Sequence, residues 1–224
     1  MKRNRLQRFF RLLSEPLIWR SRFFLGLLAI PLLLCFTVPL WKLQMVAPQY
    51  PEGLELEIYA HMVEGDVQEI NTLNHYIGMQ RIDHVMLSDL DWIPFAIGAL
   101  ALLTLRVASI GSLRSLVDLF VLFLYFSGFS MARLYYRLYS AGHNLDPHAP
   151  FSVEPFMPPV IGTKQIANFT VTSLPAGATL WIGVFALGLL VAFAWNVHMM
   201  PRRHSWIRRW EWADAGSIER REAN

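Results

Sequence analysis

Cysteine is nearly absent: among 224 residues there is one, Cys35, and it lies inside an apolar run. A disulfide framework, a CxxCH haem attachment and a cysteine-rich metal site are excluded, so whatever folds outside a membrane is held by packing alone. Charge is missing where an ion path would need it. Arg106, Asp118 and Arg133 fall near the ends of apolar runs, whereas a conducting bundle carries ionisable residues at depth. No apolar run has a central histidine, and His198 stands at the end of one, which leaves no ligands for a haem between helices. The chain also lacks a nucleophile beside a base, a phosphate-binding loop and a pair of buried carboxylates, so nothing points to an enzyme. Neither an internal repeat nor the inverted hydropathy symmetry of many transporters is visible.

Apolar residues, by contrast, make up 54% of the chain and are clustered. A spanning helix needs about 20 mostly apolar residues, and four stretches meet or approach that length: 23–41, 92–110, 116–136 and 180–199. The first has no charge between Arg22 and Lys42. A cleaved signal peptide is its rival, but the run exceeds the usual apolar core of about 7–15 residues and no small-x-small cleavage site follows it. The expected fold is mainly α, an integral membrane protein of about four transmembrane helices with a small mixed α/β periplasmic cap.

The basic residues set the orientation, because Lys and Arg stay on the cytoplasmic side. Placing both termini inside gathers Lys2, Arg3, Arg5, Arg8, Arg11, Arg20, Arg22, Arg106, Arg114, Arg202, Arg203, Arg208, Arg209, Arg220 and Arg221 there, and leaves Lys42, Arg81, Arg133, Arg137 and Lys164 outside. Residues 1–22 then read as a basic amphipathic segment on an anionic leaflet, 111–115 as a short cytoplasmic turn and 200–224 as an interfacial tail with Trp206, Trp210 and Trp212. The formal net charge of +3 therefore belongs to lipid headgroups, with no nucleic-acid partner implied.

The loops at 42–91 and 137–179 are too long to be mere connectors. In the first, Leu54 to Tyr59 alternates apolar residues with carboxylates, the period of a half-buried strand, and Val67, Ile70, Leu73, Asn74 and Ile77 have helical spacing after a capping Asp66. The second carries Pro147, Pro150, Pro155, Pro158, Pro159 and Pro175, and is expected to lie extended over the first in one compact cap. Asn168-Phe169-Thr170 matches a glycosylation sequon, which means nothing in a bacterial membrane.

These loops hold His61, Met62, His75, Met79, His84, Met86, His143, His148 and Met157. Imidazole and thioether donors together suit copper. On a helix through residue 79, His75 and Met79 would share a face at i and i+4, with His143 or His148 as a third ligand. Asp146 beside His143, or Asp83 beside His84, could orient a ligand ring. The plain alternative is that the methionines pack a core and the histidines are surface residues.

The runs Asn74 to Met79, His143 to Pro150 and Pro155 to Pro159 resemble those of small bacterial inner-membrane proteins encoded near nitrous-oxide reductase maturation genes and other copper-enzyme or respiratory loci. The resemblance covers mainly the two outer loops. It implies a periplasmic copper-handling or assembly role with His75 and Met79 as the positions involved, and a membrane or periplasmic protein as partner. The competing expectation is a structural or permease-like subunit of a larger complex whose histidines are incidental.

Overall fold

The computed structural model describes residues 13–82, 90–166 and 168–222, with side chains described as far as residue 199. The amphipathic segment before residue 13, Asp83, His84 and Met86, and the side chains of Trp206, Trp210 and Trp212 lie outside that range. The described chain divides into a helical bundle and a five-stranded antiparallel sheet. Three helices are long and apolar enough to cross a membrane. They are α4 (Trp92–Ile110), α5 (Leu113–His143) and α6 (Gly177–Glu222).

The first apolar run differs from the uninterrupted span expected over 23–41. It forms α1 (Trp19–Leu27) and α2 (Ala29–Leu34), and Trp41 already belongs to a strand. The break has a local cause. Pro31 has no N–H to donate to the carbonyl of Leu27, and its ring crowds that carbonyl, so the helix is interrupted at Leu28. Together α1 and α2 extend about 24 Å at 1.5 Å per residue, less than the hydrocarbon core of about 30 Å. The pair still runs between the two ends of α4 and α6. Leu25, Leu32 and Cys35 are buried in one cluster with Ile97, Leu116, Phe185 and Leu189.

Both ends of this segment are tied by hydrogen bonds. At the end near the α4–α5 turn, the Leu17 N–H donates to Gly111 O at 2.6 Å and Leu113 N–H donates to Glu15 O at 3.1 Å. The Arg22 Nε donates to Ala108 O at 2.8 Å and its Nη2 to Ser109 O. A guanidinium thereby serves the orphan carbonyls at the negative end of α4. Gly111 makes this approach possible: its φ is +68°, and a Cβ there would lie 2.7 Å from Arg22 Nε. Buried Asn196 of α6 completes the anchorage, accepting from Ile18 N–H at 3.1 Å and donating to Ser21 Oγ at 2.6 Å and Ala192 O at 2.7 Å.

At the opposite end the helices continue directly into the sheet. The strands are β1 (Trp41–Ala47), β2 (Tyr50–Ile58), β3 (Val63–Gly65), β4 (Gly162–Ile166) and β5 (Phe169–Pro175), in the order β3-β2-β1-β5-β4. β1 follows α2 and β5 precedes α6, and the two pair from Trp41 opposite Pro175 to Val46 opposite Thr170. The first amides around α6, which have no partner within a helix, find the preceding chain: Ala176 N–H donates to Leu40 O at 3.0 Å and Ala178 N–H to Pro39 O at 2.9 Å.

Alternation along the strands sends Met45, Leu54, Leu56, Phe169 and Val171 to one face, where α3 (Val67–Tyr76) supplies Ile70 and Leu73. Val153 and Phe156 of the proline-rich segment pack on the same core. Truncating a buried leucine such as Leu56 to alanine costs about 2–5 kcal/mol. The other face is polar. It carries the Lys42–Glu57 ion pair, a Gln44 to Glu55 hydrogen bond of 2.6 Å and a Thr163 to Thr172 contact of 2.9 Å. Lys42 and the Tyr59 hydroxyl hold the Glu57 carboxyl below its usual range.

The strand expected over 54–59 is thus the latter part of a longer β2, and the helix expected over 66–77 is Val67–Tyr76. Asp66 does sit at the N-cap position, but its Oδ2 accepts from Glu55 N–H at 2.9 Å and binds the helix start to β2. The second loop departs from a purely extended segment, because β4 and β5 form a hairpin in it. α5 also runs beyond the expected 116–136 at both ends.

Candidate functional site

His75, Met79 and His148 lie at or beside the carboxyl-terminal end of α3, where the second long loop crosses it. The helix stops at Tyr76, Ile77 is its cap and Gly78 follows at φ +75°. Met79 N–H donates to Asn74 O at 2.9 Å and Gly78 N–H to His75 O at 3.3 Å. This is a Schellman ending, with glycine at the left-handed position and an apolar residue next, turned back onto the helix. Met79 is that residue. It is half-buried and packs against the core that includes Leu73 and Ile77.

His75 points the other way and is exposed. The i, i+4 arrangement expected of His75 and Met79 requires the helix to continue through residue 79, and it stops at Tyr76, three residues short. In the structure these two side chains occupy different surroundings, one in the core of the sheet unit and one at its surface.

Segment 144–151 crosses this helix end. Asp146 N–H donates to Gly78 O at 2.8 Å, Phe151 N–H donates to Tyr76 O at 3.0 Å, and the rings of Tyr76 and Phe151 stand 6.2 Å apart. Glycine at 78 is required twice over, since a Cβ would lie 2.8 Å from Asp146 O and 3.0 Å from Ala149 Cβ. The crossing brings Asp146 beside His148 and into the neighbourhood of His75 from the first loop. Its Oδ1 accepts from the His148 N–H at 2.9 Å and lies 3.3 Å from His148 Nδ1. The His148 backbone N–H holds the Asp146 carboxyl below its usual range, helped by the His148 ring and by the charge His75 carries when protonated. His148 is 91% exposed, so its ring is free to turn about this carboxylate.

His143 is elsewhere engaged. Its ring stacks on Tyr139 with centroids 3.8 Å apart, and its Nδ1 lies 2.9 Å from Tyr139 O. The histidine that takes Asp146 is therefore His148, in place of the His143 pairing expected from adjacency. The other expected pair, Asp83 with His84, lies outside the described residues. Among the described residues no group of three His, Cys, Asp or Glu side chains is set to hold a metal ion. His148 contacts the Asp146 carboxylate, and His75 stands exposed in the same neighbourhood.

Two clusters escaped the sequence reading. Arg22 with Gly111, and Asn196 with Ser21, link positions far apart in the chain, and only the αL-prone glycine after a helical run hints at the first. Comparison with protein-family models, with curated proteins and with solved structures finds no match to this chain.

Proposed function

We propose that this chain is an accessory protein of the bacterial inner membrane, with four passes and both termini in the cytoplasm, that presents its sheet as a periplasmic cap to a redox enzyme or its maturation machinery. The observation that carries the reading is the joint construction of the sheet unit. Strands from both long loops pair in one sheet, and segment 144–151 is bonded across the end of α3. A rigid, polar-faced platform is thus built directly on the ends of apolar helices. The excess of basic residues at the opposite end supports the orientation.

Copper is the cofactor this reading includes. The corner formed by His75, Asp146 and His148 offers two imidazoles and a carboxylate. That donor set favours Cu(II), whereas a thioether such as Met79 would favour Cu(I). Loading requires the exposed His75 ring to turn toward the Asp146 carboxylate, where His148 Nδ1 already lies 3.3 Å from Oδ1.

The test is a copper titration of the detergent-purified protein. Replacing His75 and His148 together with alanine should abolish stoichiometric Cu(II) binding, while Met79→Leu should leave it unchanged. Retention of copper by the double variant, or its absence from the wild type, rejects the copper reading. The structural-subunit alternative then stands, provided that reporters fused after Gly142 and after Asn224 fall on opposite sides of the membrane. Reporters on the same side would reject the four-pass topology as well.

A further inference from the structure

α5 is 31 residues long, about 46 Å, and the aromatic side chains of its outer half are largely exposed. Its buried residues are Leu113, Leu116, Leu119 and Phe123 near its start, and Ala141 and Gly142 at its end. Across residues 124–140 no side chain is buried. This stretch holds four of the seven tyrosines in the chain. Tyr125 is 75% exposed, Tyr135 55%, Tyr136 62% and Tyr139 46%, and Phe129 and Met131 are exposed beside them.

Level along the helix follows from Trp92 at the start of α4, which packs edge-on against Phe126 and Phe129 with centroids 5.5 and 5.1 Å apart. α4, at 19 residues, matches the hydrocarbon core, so Trp92 and Phe129 mark its boundary on the sheet side. Tyr135 and Tyr136 then rise about 9–10 Å beyond Phe129. The headgroup layer adds about 5–7 Å to each side of the core. Side chains on a helix lean toward its amino terminus, and for α5 that direction is back toward the bilayer. Tyrosine suits such a position, with an apolar ring and a polar tip.

We infer that the outer half of α5 is a lipid-docking element, whose Tyr135 and Tyr136 rest in the headgroup layer and hold the sheet unit against the membrane surface. The inference rests on the sidedness proposed above. A lipid surface fits better than a partner helix because the exposed aromatics occupy more than one face: Tyr125, Phe129 and Tyr136 follow one another at helical spacing, and Met131, Tyr135 and Tyr139 do so on a neighbouring face.

The experiment uses the full chain in phosphatidylcholine–phosphatidylglycerol vesicles. Single spin labels are placed by Tyr135→Cys and Tyr136→Cys, with Phe95→Cys as the lipid reference and Thr163→Cys as the water reference. The background is Cys35→Ala, or the native Cys35 if that variant folds poorly, because the thiol is buried. Relaxation by oxygen relative to a neutral nickel chelate should fall between the two references at both tyrosine positions. A ratio equal to that of Thr163 would show that α5 stands in water and would overturn the inference alone. Exclusion of both reagents would overturn it in favour of a covering protein. A water-like Phe95 label would overturn the membrane placement of the bundle and this inference together.

Discussion

Replacing Gly78 with alanine should detach the second loop from the end of α3. A residue with a Cβ in the left-handed region costs roughly 1–2 kcal/mol. The new atom would meet Asp146 O at 2.8 Å and Asp146 N at 2.9 Å, and backbone atoms held in a crossing segment can yield only if the segment moves. Movement sacrifices the hydrogen bonds from Asp146 N–H to Gly78 O and from Phe151 N–H to Tyr76 O, each worth about 1 kcal/mol. The sum is about 3–4 kcal/mol against local closure. At 1.4 kcal/mol per factor of ten, amide exchange at Asp146 and Phe151 should accelerate by about two to three orders of magnitude, while exchange in β1 and β5 stays slow. Hydrogen exchange read by mass spectrometry or NMR on the detergent-solubilised protein would report this directly. Gly128→Ala is the control, because a Cβ there meets nothing within 4 Å and alanine is the better helix former by about 1 kcal/mol. Unchanged exchange at Asp146 and Phe151 in the Gly78 variant would refute the assignment of that contact as the clasp between the loops. If copper binds at this corner, its affinity should fall in the same variant.

Three other perturbations follow from the structure. Asn196→Leu removes hydrogen bonds to Ser21 and Ile18 inside the bundle; such bonds average about 0.6 kcal/mol and reach about 1.7, so unfolding in mixed micelles should shift by about 1–2 kcal/mol, and no shift would mean that the amide is not engaged. Arg22→Ala should loosen the end of α4 by about 1 kcal/mol, with Arg22→Lys recovering part of the loss, as measured by thermal melting in detergent. Asp146 has its carboxyl held low chiefly by the His148 backbone N–H, so the contribution of this contact is present above the ordinary carboxyl pKa of 3.8 and is lost as the pH falls through the lowered value. His148→Ala, which keeps the N–H, should preserve most of the depression in a carboxyl-carbon NMR titration, whereas His148→Pro should abolish it; equal effects of the two would contradict the ordering of causes.

Much of the fold was legible because it rests on local chemistry. Apolar runs long enough to span announced α4, α5 and α6, since burying a polar backbone in hydrocarbon leaves a helix as the economical solution for a single segment. The periodicity of Val67, Ile70 and Leu73 announced α3, and the alternation at Leu54 to Ile58 announced β2. The first apolar run misled about its own end. Its composition remains apolar to Trp41, but Pro31 interrupts the helix, and Trp41 to Ala47 becomes a strand because β2 and β5 offer it partners on both sides.

What the sequence determined by itself was the set of elements, the apolar faces they must bury and the residue types available for a site. Which of those residues meet was decided by tertiary structure. His75 and Met79 are four positions apart, and adjacency in the chain made them a pair, yet the glycine between them ends the helix and sends the thioether inward. Asp146 is 68 positions from Gly78, and Arg22 is 89 from Gly111; no local pattern joins them. Such contacts exist only because the two long loops close on one sheet and the first apolar segment returns to the α4–α5 turn. Short-range propensity acts over a few residues, whereas packing against distant chain selects one arrangement from many that the same local preferences allow.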